Sequence, residues 1–452
     1  MKHKLLLWTH AFQKMPWNYD SRLPHRAAIV VLVQLLLCAF NQTLSWSQTR
    51  WIKSNNNPVL NGGPANAWDG GRVFYHYVLF DGSKYHMWYV GYNPTLNVPP
   101  AIGYATSPDG LQWTKYANNP VMRPISGSWE AEGLFTPVVI FDGVSFRMWY
   151  SANDASYVSA TGYATSPDGI NWTKLSANPI LRLGASGTWD DAEASVASII
   201  FDGTSYKMWY LGQSGDYVYR IGYATSSDGM NWTKYTNNPV LNAGPPGAWD
   251  EAFVYMPDVH FDGTTYQMWY NGFSPTAARI GRATSSDGVR WTKDPANPVL
   301  DVGSPGTWES KEVGHPRVLF DGNKLKMWYI GVDQQINVRI GYASSEVSTT
   351  VSNQKNESLL TQYALFENYP NPFNPATTIA YHLPRASQVK LLVYNLAGQH
   401  VRTLVDAPQA AGRFQINWDG KDDIGNGLAS GVYLYRLEAG NFAETKKMIL
   451  MR

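Results

Sequence analysis

One unit of about sixty residues is written into this chain five times. Met-Trp-Tyr stands at 87–89, 148–150, 208–210, 268–270 and 327–329, and Phe-Asp-Gly precedes it at 80–82, 141–143, 201–203, 261–263 and 320–322. Upstream of each copy a Trp is followed by an acid, at Trp68, Trp129, Trp189, Trp249 and Trp308, with spacings of 61, 60, 60 and 59 residues. Self-similarity at a fixed period marks a repeat architecture, in which each copy buries its apolar faces against its neighbours. Each copy reads as four strands. The first ends at the Phe of Phe-Asp-Gly, whose Asp-Gly makes a tight hairpin turn. The second is the Met-Trp-Tyr segment, and the third is Ile-Gly-Tyr-Ala-Thr-Ser, as at 102–107. A Pro-Asp-Gly or Ser-Asp-Gly turn leads to a fourth that begins Trp-Thr-Lys. Four short antiparallel strands arranged radially make a propeller blade, so the expectation is an all-β chain containing a five-bladed β-propeller.

The fifth copy stops after its third strand, at Ser345. The missing piece lies at the other end of the chain, where Trp51-Ile52-Lys53 through Pro58-Val59-Leu60 matches Trp113-Thr114-Lys115 through Pro120-Val121-Met122. The N-terminal strand is therefore expected to complete the last blade and remove an exposed sheet edge.

Composition agrees. Aromatic residues make up 14% of the 452, with 19 Trp and 28 Tyr, and 39 Gly and 27 Pro suit many short strands joined by turns. The net charge of +1 offers no field for a phosphate backbone, which sets nucleic acid aside. Ser-x-Asp-Gly-x-x-Trp superficially resembles the Asp-box of sialidases. That motif has a further residue between Asp and Gly, so these segments read as hairpin turns. Asn171-Trp172-Thr173 and Asn231-Trp232-Thr233 fit a glycosylation sequon but occupy the same repeated slot.

At the N-terminus, Lys2, Lys4, Arg22 and Arg26 precede an apolar run from Ala27 to Phe40, and Ser45-Trp46-Ser47 offers a small-x-small cleavage site. Residues 1–47 thus read as a signal peptide. The run is too short to span a bilayer comfortably, so no transmembrane segment is expected in the mature chain. The single cysteine, Cys38, falls inside the run, leaving the mature chain without disulfides.

The turns between first and second and between third and fourth strands are nearly invariant in length. The loops between second and third strands vary: from the Trp of Met-Trp-Tyr to the Gly of the third strand the spacing is 15, 13, 13, 12 and 13. Function concentrates on variable loops over a rigid scaffold, so the face bearing them, around the channel mouth, is the expected ligand site. Most Trp fill repeated slots and read as packing. Polar residues that break the repeat near the inner-strand starts are the candidates: Glu132, Glu193, Asp258 and Glu312 as acids, and His76, His315 and Arg317 as ligand-binding groups. The competing expectation is a set of solvated charges and ion pairs, with Asp258 pairing Arg317. His315 is expected to exchange a proton near neutral pH.

The Pro-x-Val-x-Phe-Asp-Gly inner strand and repeated Ile-Gly-Tyr-Ala-Thr-Ser-x-Asp-Gly-x-x-Trp resemble the arabinanase, levansucrase and invertase superfamily of five-bladed propellers, glycoside hydrolase family 43-like, and also the β-mannoside phosphorylase group. The resemblance spans residues 48–345. It implies a poly- or oligosaccharide ligand and a pair of carboxylates near the channel, one protonating the leaving oxygen and one activating water or attacking carbon. In arabinanase-like members an Asp often precedes the inner-strand Pro. Here that slot holds Tyr75, Thr136, Val196, Met256 and His315, and His315-Pro316-Arg317 stands where the phosphorylase group shows Asp-Pro-Arg. Two functions follow as expectations: a secreted glycoside hydrolase or phosphorylase acting on extracellular polysaccharide, or a non-catalytic propeller that binds glycans or proteins at the cell surface.

Residues 346–362 are polar and read as a linker. Beyond them, apolar runs at Val389–Leu396, Phe414–Trp418, Val432–Leu437 and Met448–Leu450, separated by Gly, Asp and Asn turns, predict a small Ig-like β-sandwich over 363–452. Asn368-Tyr369-Pro370-Asn371-Pro372-Phe373-Asn374-Pro375, Val393-Tyr394-Asn395-Leu396-Ala397-Gly398, Ser430-Gly431-Val432-Tyr433 and Lys446-Lys447-Met448 resemble the C-terminal sorting domain of type IX secretion cargo. That implies passage through the periplasm, a type IX machinery as partner, and release or surface attachment in a Bacteroidetes-like bacterium. Asp419, Asp422 and Asp423 fit no metal-loop spacing, and the residues call for no cofactor and no metal.

Overall fold

The computed structural model describes residues 51–346 apart from 82, 143, 216, 263–264 and 322–323, and residues 363–450 apart from 367, 369–372 and 374–375. The expected signal segment, nearly all of the expected linker, and most of the 368–375 motif lie outside the described residues. Within them every regular element is a β-strand, and no helix is long and apolar enough to cross a membrane.

Each repeat folds into the meander that its turns dictate. In the first, Arg72–Phe80, Tyr85–Tyr92, Ala101–Ser107 and Thr114–Lys115 pair in succession, all antiparallel. The Asp-Gly turns are hairpin turns held by their own carboxylates. Asp81 Oδ1 accepts from the Ser83 and Lys84 amides at 2.7 and 2.9 Å, and Asp109 Oδ1 from the Leu111 and Gln112 amides, both at 2.8 Å. Gly110 sits at φ +80°, open to glycine without the cost a side chain would bring.

The last repeat supplies Glu312–Asp321, Lys324–Val332 and Val338–Glu346. Ile52–Lys53 fills the fourth place, with Ile52 opposite Ser344 and Lys53 opposite Ala343. The substitution is faithful at side-chain level. Asn119 caps Tyr104 within the first repeat, accepting from its amide at 2.8 Å and donating to its carbonyl at 2.9 Å. Asn57 does the same for Tyr342, at 2.7 and 2.9 Å.

The repeated acid after each Trp is structural. Asp69 accepts from Tyr89 Oη at 3.0 Å and Lys115 Nζ at 2.6 Å, joining the Met-Trp-Tyr strand to the Trp-Thr-Lys strand. Glu130, Asp190 and Asp250 repeat the arrangement with Tyr150 and Lys174, Tyr210 and Lys234, and Tyr270 and Lys293. In the last repeat Glu309 binds Tyr329, and its lysine is Lys53 from the N-terminal strand, at 3.0 Å. The Trp of Met-Trp-Tyr is fully buried in Trp88, Trp149, Trp209 and Trp328. A large aromatic at such a site stabilises by several kcal/mol, since truncating it to Ala costs about 3–5.

Neighbouring repeats touch where the third strand of one begins beside the first strand of the next, as at the parallel pairs Ser159–Glu193 and Ala278–Glu312. These repeated four-stranded units make a propeller-like all-β fold.

The C-terminal residues form a three-stranded sheet (Ala364–Leu365, Thr377–Leu383, Gly412–Trp418) and a four-stranded sheet ordered His400–Gln409, Ser387–Asn395, Gly431–Ala439, Phe442–Leu450. Tyr381, Leu391, Trp418, Tyr435 and Met448 are among the residues of their shared core. Three strands go beyond the sequence expectation, Ala364–Leu365, Thr377–Leu383 and His400–Gln409. The last, His-Val-Arg-Thr-Leu-Val-Asp-Ala-Pro-Gln, lies at a sheet edge, which is where a strand tolerates its charges and its Pro408.

Candidate functional site

The first strand of every repeat carries a register shift: between Phe74 and Tyr77, Phe135 and Val138, Val196 and Ser198, Tyr255 and Asp258, and Gly314 and Arg317. At this bulge Tyr75, Thr136, Met256 and His315 adopt φ of +44°, +41°, +50° and +50°. Bulky and β-branched residues avoid that region, and such strain gathers where a backbone is bent to aim side chains at a site. The slot before the inner-strand Pro is thus a built position in this chain although it bears no carboxylate.

Two cavities meet these bulges. The smaller, about 30 Å³, is lined by His76, Tyr77, Asp258, His315 and Arg317 among others. Asp258 and Arg317, which occupy the same slot in successive repeats, form the expected ion pair, and both are buried. Asp258 Oδ2 also accepts from the Val318 amide at 2.7 Å and lies 2.9 Å from His260 Nε2. Arg317 Nε donates to the Val78 carbonyl at 3.2 Å, and its guanidinium lies 3.7 Å from the Tyr77 ring centre. Burial alone would raise Asp258, but Arg317 and His260 outweigh it and hold the carboxyl at about 2. These contacts engage both groups with protein partners.

His315 stacks on Tyr75 at 4.4 Å and meets Tyr255 edge-on at 5.6 Å. Burial, with His76 nearby, pushes its imidazole down to about 3, and burial pushes His76 down to about 4. The expectation that His315 exchanges a proton near neutral pH is therefore corrected: both rings are neutral there, because the bulge folds them into the core instead of presenting them to water.

The larger cavity, about 270 Å³, is lined by Glu193 with an aromatic wall of Tyr75, Phe135, Tyr219, Phe253, Tyr255 and Phe273. Thr136, Ser151, Asn153, Ser159 and Ser195 add hydrogen-bonding groups. Burial raises Glu193, opposed by hydrogen bonds from Ser195 and Tyr219. Among the described lining residues Glu193 is the sole carboxylate, and none is a lysine or arginine.

The other two candidate acids are not among these lining residues, although Glu312 is near enough to raise Tyr255 and Glu132 adjoins Asn153. Glu312 occupies the Glu193 slot two repeats later, half-buried, raised by burial and eased by Lys311. Glu132, half-buried, sits one residue ahead of that slot, its amide bonded to the Asn153 carbonyl at 3.0 Å. Sequence reasoning missed Tyr219, Tyr255, Asn153 and Ser159. For Asn153, Ser159 and Tyr219 the signal was the register itself: the third strand of one repeat begins beside Glu193 of the next, so residues flanking the variable loop face the pocket. Tyr255 instead comes from the first strand of the fourth repeat, beside its bulge.

Comparisons with known proteins follow the same division of the chain. Residues 374–441 match the FlgD Ig-like domain. An uncharacterized protein of Mycobacterium tuberculosis (strain CDC 1551 / Oshkosh) is 28% identical over 228 residues, covering 48% of this chain and 72% of the relative. A beta-1,2-mannobiose phosphorylase of Thermoanaerobacter sp. (strain X514) is 29% identical over 135 residues, covering 26% of this chain and 44% of that protein. A solved structure described as a glycoside hydrolase superposes with a TM-score of 0.55 at 17% identity, covering 72% of this chain and 96% of the other. At that identity the likeness concerns the fold, and chemistry has to be argued from the site.

Proposed function

We propose that this chain is an exported carbohydrate-binding protein, a five-bladed propeller that takes a neutral glycan into the pocket around Glu193 and does not cleave it. The observation that carries the reading is the composition of that pocket. Six aromatic rings line it beside hydroxyl and amide groups, with one carboxyl whose burial favours the protonated, hydrogen-bond-donating form. Apolar walls with a few placed polar groups suit sugar faces and hydroxyls. Glycoside hydrolysis by the two-carboxylate route needs a second acid roughly 5–9.5 Å from the first. Phosphorolysis needs a group that holds phosphate, which cationic side chains commonly provide. Neither a second acid nor a cationic side chain is among the described lining residues.

The names of the relatives point to β-1,2-linked mannosides as first probes. Calorimetric titration with these, beside other neutral glycans, and an assay for released reducing sugar or sugar phosphate test the reading together. Saturable binding without turnover, lost in Glu193→Ala, supports it. Turnover lost in the same variant would instead make Glu193 the general acid of a hydrolase or phosphorylase. For export, we propose that residues 1–47 are a signal peptide and 363–452 a type IX sorting domain. A chain ending near Ser348 should then remain periplasmic in a host that has that pathway, and efficient release would refute the assignment.

A further inference from the structure

We propose that Tyr157 and Tyr217 are sugar-stacking platforms on either side of the Glu193 pocket, so that the site takes a stretch of glycan chain longer than the pocket itself. The inference rests on the carbohydrate reading of that pocket and adds the length of ligand it selects. Ser159, Glu193, Gln213 and Tyr219 are consecutive partners across four neighbouring strands. Glu193 lies within this row, and Ser159 and Tyr219 are its two ends. Tyr157 precedes Ser159 by two residues and Tyr217 precedes Tyr219 by two, so each tyrosine sits in a variable loop beside one end. Three strand spacings separate those ends, about 14 Å, which is wider than a single sugar ring.

Both tyrosines are 71% and 79% exposed, in that order, and both stand at φ +58°. An exposed aromatic gains nothing for the core, while the positive φ belongs to the loop turn itself, since Ile336 adopts +64° at the same place. The loops hold the pose through their own bonds. The Tyr157 amide donates to the Asp154 carbonyl at 2.9 Å, and the Tyr217 amide to Ser214 at 3.0 Å. Asp154 Oδ1 also accepts from Ser156 and Val158, at 2.8 and 3.0 Å.

The same slots elsewhere provide an internal control. Glu312 sits in an equivalent row between Ala278 and Val332, itself paired to Val338. Its corresponding loop residues are Thr276 and Ile336. The fold demands the same of both rows, yet only the acid that lines the large pocket has a tyrosine on each side.

The test titrates β-1,2-mannobiose and longer β-1,2-oligomannans into the full chain and into the Tyr157→Ala/Tyr217→Ala double variant, with Tyr157→Phe/Tyr217→Phe as a partner that keeps the rings and thermal melting as a fold check. Affinity of the parent should rise with oligomer length. The Ala variant should lose about tenfold for the long oligomers while mannobiose affinity stays within about twofold, and the Phe variant should behave like the parent. A parent whose affinity does not grow with length, or an Ala variant that keeps the growth, overturns the inference and leaves the pocket reading intact. A parent that binds no oligosaccharide of any length overturns both.

Discussion

Trp328 Nε1 donates a hydrogen bond to the carbonyl of Gly110 at 2.8 Å, across 218 residues of chain. The same bond joins each earlier repeat to its successor: Trp88 to Gly169 at 2.8 Å, Trp149 to Gly229 at 2.6 Å and Trp209 to Gly288 at 2.9 Å. The fourth repeat differs, because its successor ends without an Asp-Gly turn. There Trp269 meets Trp51 of the N-terminal strand edge-on at 6.4 Å, and its Nε1 has no partner among the described residues. The last repeat thus makes to the first the same bond that the first three make to their successors, and the pair without it is the fourth and fifth, a seam where the N-terminal strand is borrowed.

That seam sets a first expectation. Deleting residues 48–60 removes the strand opposite Ser344, the Asn57 bonds to Tyr342 and the lysine of Glu309, and bares a sheet edge. The melting temperature should fall sharply and the shortened protein should tend to associate. Equal melting of the two proteins would disprove the closure.

Trp328→Phe trims the indole and removes one of the two donors to the Gly110 carbonyl, the other being Trp113 Nε1 at 3.0 Å. The lost hydrogen bond should cost about 0.5–1.5 kcal/mol in denaturant unfolding beyond the loss of ring volume. Trp269→Phe, at the position lacking that bond, should cost clearly less.

Asp258 and Arg317 form a third test. Arg317→Met strands a buried carboxylate and should destabilise by about 3–5 kcal/mol. Adding Asp258→Asn should recover part of that, giving a coupling energy in the double-mutant cycle. Purely additive losses would mean that the pair does not act as a unit.

His76 and His315 predict the acid side of the stability profile. Their values are lowered in the folded chain, to about 4 and about 3, from 6.5. Their contribution is therefore fully present above about pH 6.5 and diminishes as pH falls toward 4 and 3, where the unfolded chain binds the extra protons. Urea unfolding across that range should show the decline, and a His76→Asn/His315→Asn variant should show a shallower one.

Glu193 has the opposite sign. Its value is raised above 4.5, so keeping it ionised in the pocket costs stability as pH rises. Glu193→Gln should be at least as stable as the parent near neutrality. The advantage should vanish below about pH 4.5, even as glycan affinity falls. A variant less stable than the parent at neutral pH would show that the Glu193 carboxylate is stabilising where it stands.

The repeat, its four strands, the turns and the borrowed N-terminal strand were legible in sequence because each follows from a local rule applied at a fixed period. Asp-Gly forces a hairpin, a run such as Tyr85-His86-Met87-Trp88-Tyr89 demands burial on both faces, and a motif missing at one end and present at the other has one natural place to go. The Asp258–Arg317 pair was legible for the same reason, since equal slots in adjacent repeats become neighbours. The environment of each candidate group was decided only by tertiary structure. The bulge turns His315 and His76 into the core and lowers their proton affinity, and nothing in the order of residues states how deeply a bulge buries a side chain. The row Ser159–Glu193–Gln213–Tyr219 is assembled from three strands of one repeat and one of another, so its chemistry exists only once the sheets meet. Sequence sets which residues share a slot; packing decides which of those slots keep their charge, lose it or open onto a pocket, because desolvation depends on everything that surrounds a group and not on its neighbours along the chain.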